Sequence, residues 1–221
     1  SIQASQAGIQ ILKKGGNAID AAVAVGFALA VTSSSNGNIG GGGFLIARLS
    51  NGTSIALDHR EKAPLKAHSN MFLNDSGFVI RGMSLFSRAS SGVPGTVDGL
   101  IRAFENHGSG KISLREILKP AIRLAEKGFE LSHFEANRLN AYKSFFEKNK
   151  AASKIFIRHD GKPWEKGQIL IQKDLAKTLK RIARYGRDGF YSGTVAQLIV
   201  EEMKRGNGLI TKEDLLRYES K

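Results

Sequence analysis

Apolar and polar positions along the chain alternate with a helical period near its start. Residues 5–14 place Ala7, Ile9, Ile11 and Leu12 among polar neighbours and stop at Gly15-Gly16, the usual signal of a helix C-terminus. Asn17 then stands where a helix N-cap belongs. The residues from Ala18 to about Val31 are apolar almost all round, which predicts a helix sandwiched inside the protein rather than lying on its surface. A serine- and glycine-rich linker, 32–43, separates this pair from two β-like runs, 44–49 and 53–57. Asn51-Gly52 between the runs predicts a hairpin with a type I′ turn, because both residues tolerate positive φ.

Beyond residue 65 the pattern is mostly helical. Helices are expected at 96–106, 132–148, 173–184 and 193–205, with 155–171, around Trp164, irregular or in short strands. Ser113-Leu114-Arg115-Glu116 and Thr211-Lys212-Glu213-Asp214 fit the capping-box pattern. Pro120 is expected to start or kink a helix that continues to Gly128. No internal repeat or low-complexity tract interrupts the chain.

Composition narrows the function classes. An apolar fraction of 41% and a charged fraction of 24% are ordinary for a globular protein. The 221 residues contain no cysteine, so there is no disulfide framework, thiolate nucleophile or cysteine-based zinc site. The longest apolar run, 19–31, is interrupted by Asp20 and Gly26 and falls short of the roughly 20 residues of a membrane span, so no span is expected. The chain opens on Ser1-Ile2-Gln3-Ala4-Ser5 without a signal-peptide pattern. Its formal charge of +13 lies almost wholly in residues 59–221, where lysines and glutamates are interspersed along helices. That favours a generally basic surface, or an acidic partner, over a nucleic-acid site with clustered charge and interleaved aromatics.

The chemistry-bearing stretch is Gly40-Gly41-Gly42-Gly43-Phe44 and the hairpin that exits into Asp58-His59-Arg60-Glu61-Lys62-Ala63-Pro64. Four glycines remove every side chain where another backbone or a ligand approaches closely. The run lacks the Gly-Lys-Ser/Thr ending of a phosphate loop and the spacing of a dinucleotide loop, so a close backbone crossing is the better reading. Arg60, just past the second strand, suits a bidentate carboxylate clamp, while an ion pair with Asp58 or Glu61 is the plainer alternative. His59, His68, His107, His133 and His159 show no metal-ligand spacing and read as surface or packing residues, so no metal and no cofactor are expected. Ser90-Ser91-Gly92-Val93-Pro94-Gly95 is a small-residue turn and lacks the form of a nucleophile elbow. No catalytic residue is identified in the chain.

Six segments in order resemble the gamma-glutamyltranspeptidase (glutathione hydrolase) family of N-terminal-nucleophile hydrolases. They are Gly15-Gly16-Asn17-Ala18-Ile19-Asp20-Ala21-Ala22-Val23-Ala24, Gly37-Asn38-Ile39-Gly40-Gly41-Gly42-Gly43-Phe44 and the Asp58-to-Pro64 segment. They continue with Gly92-Val93-Pro94-Gly95-Thr96, Pro120-Ala121-Ile122-Arg123-Leu124-Ala125-Glu126-Lys127-Gly128-Phe129 and Gly189-Phe190-Tyr191-Ser192-Gly193. The resemblance implies an α/β fold, a stacked α/β/β/α sandwich of which this chain is part of the large subunit. Residues 1–64 would supply the helix pair and hairpin of the sandwich core, and 65–221 a mainly helical part.

The resemblance also implies a precursor that cuts itself into large and small subunits. The new N-terminal threonine of the small subunit attacks a gamma-glutamyl amide, with its own α-amine as base. Arg60 is then the clamp for the glutamyl α-carboxylate, the substrate is a gamma-glutamyl compound such as glutathione, and the enzyme is periplasmic or secreted. None of Thr32, Thr53, Thr96, Thr178, Thr194 and Thr211 sits in the family's Thr-Thr-His-like processing context. The chain is therefore expected to need a partner, the small subunit or remainder of the precursor that carries the threonine, and to be inactive alone. Thr32-Ser33-Ser34-Ser35-Asn36 lacks a proline often found there, and Ser1-Ile2-Gln3 replaces a common His-Pro pair. A truncated, inactive relic is thus one alternative, and a basic nucleic-acid-binding module with steep salt dependence is another.

Overall fold

Ser1 accepts a hydrogen bond from the Ala4 amide through its hydroxyl, so the first helix spans Ile2–Lys13 and begins three residues earlier than its apolar pattern suggests. Ala4, Ala7, Gly8 and Ile11 are buried, while Ile9 and Leu12 remain exposed. The computed structural model describes all residues except Ser34, Ser35 and Gly37, so that part of the predicted linker lies outside the described residues. The chain divides into two compact units, Ser1–Asn38 with Ser109–Lys180, and Ile39–Gly108 with Arg181–Lys221.

In the first unit the Ala18–Thr32 helix opens on a complete capping box between Asn17 and Asp20. It is buried on nearly every side, as its all-round apolar sequence requires. It packs against Ile2–Lys13 and Leu114–Lys127. The crossing with the first helix is close: a Cβ on Gly8 would stand 2.7 Å from Val25 Cγ2. Leu114–Lys127 starts at the Ser113 cap and runs uninterrupted through Pro120, so the proline neither begins nor ends it. Ser113 accepts from the Glu116 amide, but the Glu116 carboxylate is turned to Lys14 at 3.2 Å, leaving half of the expected capping box.

The predicted 132–148 helix is broken. His133–Ala141, with its own Ser132–Glu135 capping box, ends at Tyr142. The short Lys143–Phe146 turn and the Lys150–Phe156 helix follow. Trp164 packs at the break. Its backbone is tied to Asn140, whose amide donates to the Trp164 carbonyl (2.9 Å) and accepts from its N–H (2.7 Å). The indole N–H reaches the Phe156 carbonyl at 2.7 Å. Ile155 and Phe156 therefore belong to a helix, and of the expected short strands only Ile169–Leu170 forms, paired antiparallel with Phe129–Glu130. The Lys173–Tyr185 helix closes this unit with its residues up to Lys180.

The second unit holds the hairpin Phe44–Arg48 and Ser54–Asp58, in register from Phe44 opposite Asp58 to Arg48 opposite Ser54. Its turn is not type I′. The Leu49 amide donates to the Thr53 carbonyl and the Gly52 amide to the Leu49 carbonyl, giving a three-residue loop. Of Asn51 and Gly52, Gly52 alone has positive φ (+85°). This is the type I turn closed by a left-handed glycine that longer hairpin loops use. The same unit holds the helices Thr96–His107, Asp188–Tyr191, Gly193–Arg205 and Lys212–Arg217. The last begins with the expected Thr211–Asp214 capping box, and the same Asp214 carboxylate accepts from the Leu65 amide at 2.6 Å.

Candidate functional site

The segment 58–62 leaves the hairpin with its backbone held at every residue but Glu61. The Asp58 amide and carbonyl pair with those of Lys221 (2.6 and 2.8 Å), and those of His59 pair with Gly43 (3.0 and 3.3 Å). Lys62 pairs in the same way with Val93 (3.2 and 2.7 Å). Arg60 has no ladder partner. Its N–H donates to the Asp58 carboxylate at 2.9 Å and its carbonyl accepts from the Tyr218 hydroxyl at 2.8 Å.

The glycine run makes this crossing feasible. A Cβ on Gly42 would fall 2.5 Å from the His59 carbonyl oxygen and 2.9 Å from Arg60 Cα, distances no side chain tolerates. On Gly95 it would stand 2.1 Å from both the His59 oxygen and the Tyr218 hydroxyl. The Gly41 carbonyl accepts from the amides of Gly95 and Thr96 (2.8 and 2.9 Å), satisfying donors at the start of the Thr96–His107 helix. The sequence reading of the run as a close backbone crossing agrees with this geometry.

Arg60 itself points outward, with 61% of its side chain exposed. Its Nε meets Glu61 Oε2 at 3.2 Å, and its guanidinium carbon lies 5.7 Å from the centre of the Phe44 ring. Among the described residues neither terminal nitrogen of Arg60 has a hydrogen-bond acceptor. The Glu61 ion pair anticipated from sequence is therefore present, yet it occupies only one edge of the fork. An exposed pair of this kind contributes little, on the order of 0–1 kcal/mol, and leaves the two terminal nitrogens for an incoming carboxylate. Asp58, the other anticipated partner, bonds the Arg60 backbone instead.

Beneath the turn His59 is buried, its ring against Gly99, where a Cβ would be 2.4 Å away. Burial pushes its pKa down, outweighing its backbone hydrogen bond and the nearby carboxylates of Asp58, Glu61 and Asp98. It packs as a neutral ring, in keeping with the packing role read from sequence. Deeper still, the Asp98 carboxylate accepts from Arg187 Nε (2.7 Å) and from the Ser220 amide and hydroxyl (2.8 and 2.7 Å). Burial alone would raise the Asp98 pKa. The bonds from Ser220 and Arg187 outweigh burial and hold it below the ordinary aspartate value. Arg102 donates to the Ser220 carbonyl (2.9 Å) and to Glu219 (2.6 Å), and Arg187 also reaches the carbonyls of Leu216 (3.2 Å) and Tyr218.

Tyr218, Asp98, Ser220 and Arg187 carry no local motif that sequence reasoning could use. Their neighbour Tyr191 does lie in a quoted segment, Gly189-Phe190-Tyr191-Ser192-Gly193; its hydroxyl donates to the Pro94 carbonyl at 2.7 Å. Several threonines have structural duties: the hydroxyl of Thr32 donates to Ala28, that of Thr178 to Asp174 and that of Thr211 to Asp214. Among the described residues no three His, Asp or Glu side chains converge as a metal site, and no helix is long and apolar enough to cross a membrane.

The family model described as gamma-glutamyltranspeptidase matches residues 4–221. The chain is 47% identical over 218 residues to a glutathione hydrolase proenzyme of Pseudomonas sp. (strain A14), covering 99% of this chain and 38% of the relative. It is 47% identical over 217 residues to the Escherichia coli (strain K12) glutathione hydrolase proenzyme, covering 98% and 37%. The crystal structure of Helicobacter pylori gamma-glutamyltranspeptidase superposes with a TM-score of 0.95 at 46% identity, over 99% of this chain and 62% of that one. The chain thus spans less than two-fifths of the length of these curated relatives. The fold is the large-subunit portion of an N-terminal-nucleophile hydrolase, and the chain belongs to the gamma-glutamyltranspeptidase family.

Proposed function

We propose that this chain supplies the carboxylate-binding part of a gamma-glutamyltransferase or glutathione hydrolase, with Arg60 as the clamp for the glutamyl α-carboxylate. The observation that carries the reading is the state of Arg60: a fixed backbone, an exposed guanidinium, and two terminal nitrogens with no acceptor among the described residues. A carboxylate docked there forms two parallel charge-assisted hydrogen bonds, and Glu61 keeps the fork oriented through Nε.

The chemistry is acyl transfer. A threonine hydroxyl attacks the gamma-carbonyl, the amide C–N bond breaks, the leaving amine takes a proton, and the glutamyl group remains as an ester on the threonine. Water or an acceptor amine then opens the ester. The nucleophile belongs to a part of the enzyme beyond these 221 residues, the small subunit that is this chain's partner, and the α-amine of that threonine serves as base. The working enzyme is placed in the periplasm or outside the cell.

In the complete protein, Arg60→Ala is expected to raise KM for a gamma-glutamyl anilide about a hundredfold, since two charged hydrogen bonds are lost, with a smaller effect on kcat. Unchanged kinetics would remove Arg60 from the binding site. No gamma-glutamyl cleavage by the complete protein would favour an inactive relic.

A further inference from the structure

The Arg60 carbonyl, alone in the 58–62 segment among the described residues, is held by a side chain from far along the chain. The donor is Tyr218, 158 residues away. Its ring lies face to face with Tyr191 (5.6 Å between centres, 8° between planes), and Lys62 Nζ sits 5.0 Å from the centre of the same ring. Lys62 also donates to the Glu219 carbonyl at 2.5 Å. On either side of Tyr218 the backbone is anchored. Arg187 takes the carbonyls of Leu216 and Tyr218, Asp98 takes the amide and hydroxyl of Ser220, and Lys221 pairs with Asp58. The stretch 216–221 therefore forms a strap, anchored to a buried carboxylate and pressed against the turn that carries the clamp.

We propose that Tyr218 is a positioning residue for substrate binding: through its hydrogen bond to the Arg60 carbonyl, the strap anchored on Asp98 and Arg187 sets where the guanidinium meets the substrate carboxylate. This rests on the reading of Arg60 as the clamp. The physical need is clear from the exposure of Arg60. Its side chain is oriented by the contacts to Glu61 and the Phe44 ring, but where that oriented fork stands depends on where the backbone fixes its Cα. Asp58, His59 and Lys62 are fixed by ladder pairs; at Arg60 the Tyr218 hydroxyl does that work on the carbonyl side. Burial and the neighbouring carboxylates of Asp98, Asp58 and Glu61 push the Tyr218 phenol up to about 12, against a smaller opposing effect of Arg102, so it remains a donor over the whole working pH range. The glycine at position 95 fits the same account, since any Cβ there would strike both the hydroxyl and the His59 carbonyl.

Tyr218→Phe tests the idea in the complete protein, because it deletes the hydroxyl and keeps the ring stack. With a gamma-glutamyl anilide as substrate, KM is expected to rise roughly tenfold while kcat stays within about twofold. The Tyr218→Phe, Arg60→Ala double variant is expected to match Arg60→Ala alone, because a residue that acts only by aiming Arg60 has nothing left to aim. An unchanged KM in Tyr218→Phe, alongside a raised KM in Arg60→Ala, overturns the positioning role and leaves the clamp standing. A loss confined to kcat, or effects that add in the double variant, also overturns it. If Arg60→Ala itself changes nothing, the clamp falls and the positioning role with it.

Discussion

Asp20 in the first unit and Asp98 in the second are both buried, and the two behave differently. Asp20, in the first unit, is fully buried near the start of the Ala18–Thr32 helix. One oxygen accepts from the amides of Asn17 (2.9 Å) and Ser109 (3.1 Å), while the other has no partner among the described residues. Asp98, in the second unit, is 3% exposed, and both its oxygens are engaged, one by Arg187 and the other twice by Ser220. Asp20 completes a helix terminus with backbone donors and gains from the helix dipole. Asp98 joins a helix to a distant strap through a charged partner. The first aspartate stabilises an element; the second fixes the geometry of a site.

That contrast predicts unequal costs. In thermal unfolding of the complete protein, Asp98→Ala should lose about 3 kcal/mol, because it strands the Arg187 charge and frees the strap. The same measurement on Asp20→Ala should show a loss of about 1–2 kcal/mol, the usual cost of a cap plus an unsatisfied buried amide. Equal losses would erase the distinction, and a reversal would invert it.

Acid sharpens the comparison further. The pKa of Asp98 is lowered in the folded state, so the stability it contributes is complete above the unfolded aspartate value of about 3.9 and disappears as pH falls through the lower folded value. Asp214 is lowered too: burial alone would raise it, and its bonds from Thr211 and the Leu65 amide outweigh that. Stability followed from pH 6 downward should therefore fall most steeply below about pH 4. That fall should be shallower in Asp98→Ala, and an identical acid profile in the variant would show that Asp98 is not held as described.

The same two residues mark what the sequence made legible. Asn17 stands directly before the apolar run, so the N-cap, and with it the start of the buried helix, was read locally, while the reciprocal bond from Asp20 was not. The close crossing at the glycine run and the Arg60–Glu61 ion pair were legible for a similar reason, since a short hairpin ends on an arginine beside two acids. The partners of Asp98 lie 89 and 122 residues away, and no spacing rule links them. Nor did the apolar pattern of 132–148 reveal that Asn140 would bond Trp164 and that the helix would end before Tyr142. Asn51-Gly52 correctly located the turn but misled about its type, because a third residue joined the loop and only glycine took positive φ. Local backbone chemistry was readable. Side-chain bonds across long separations were not.

The most direct test of the account is a crystal structure of the complete protein with glutamate bound. The α-carboxylate is expected to bridge the two terminal nitrogens of Arg60 at about 2.8 Å, with Nε still on Glu61 and the Arg60 carbonyl still on Tyr218. A carboxylate bound elsewhere, with Arg60 paired only to Glu61, would contradict it.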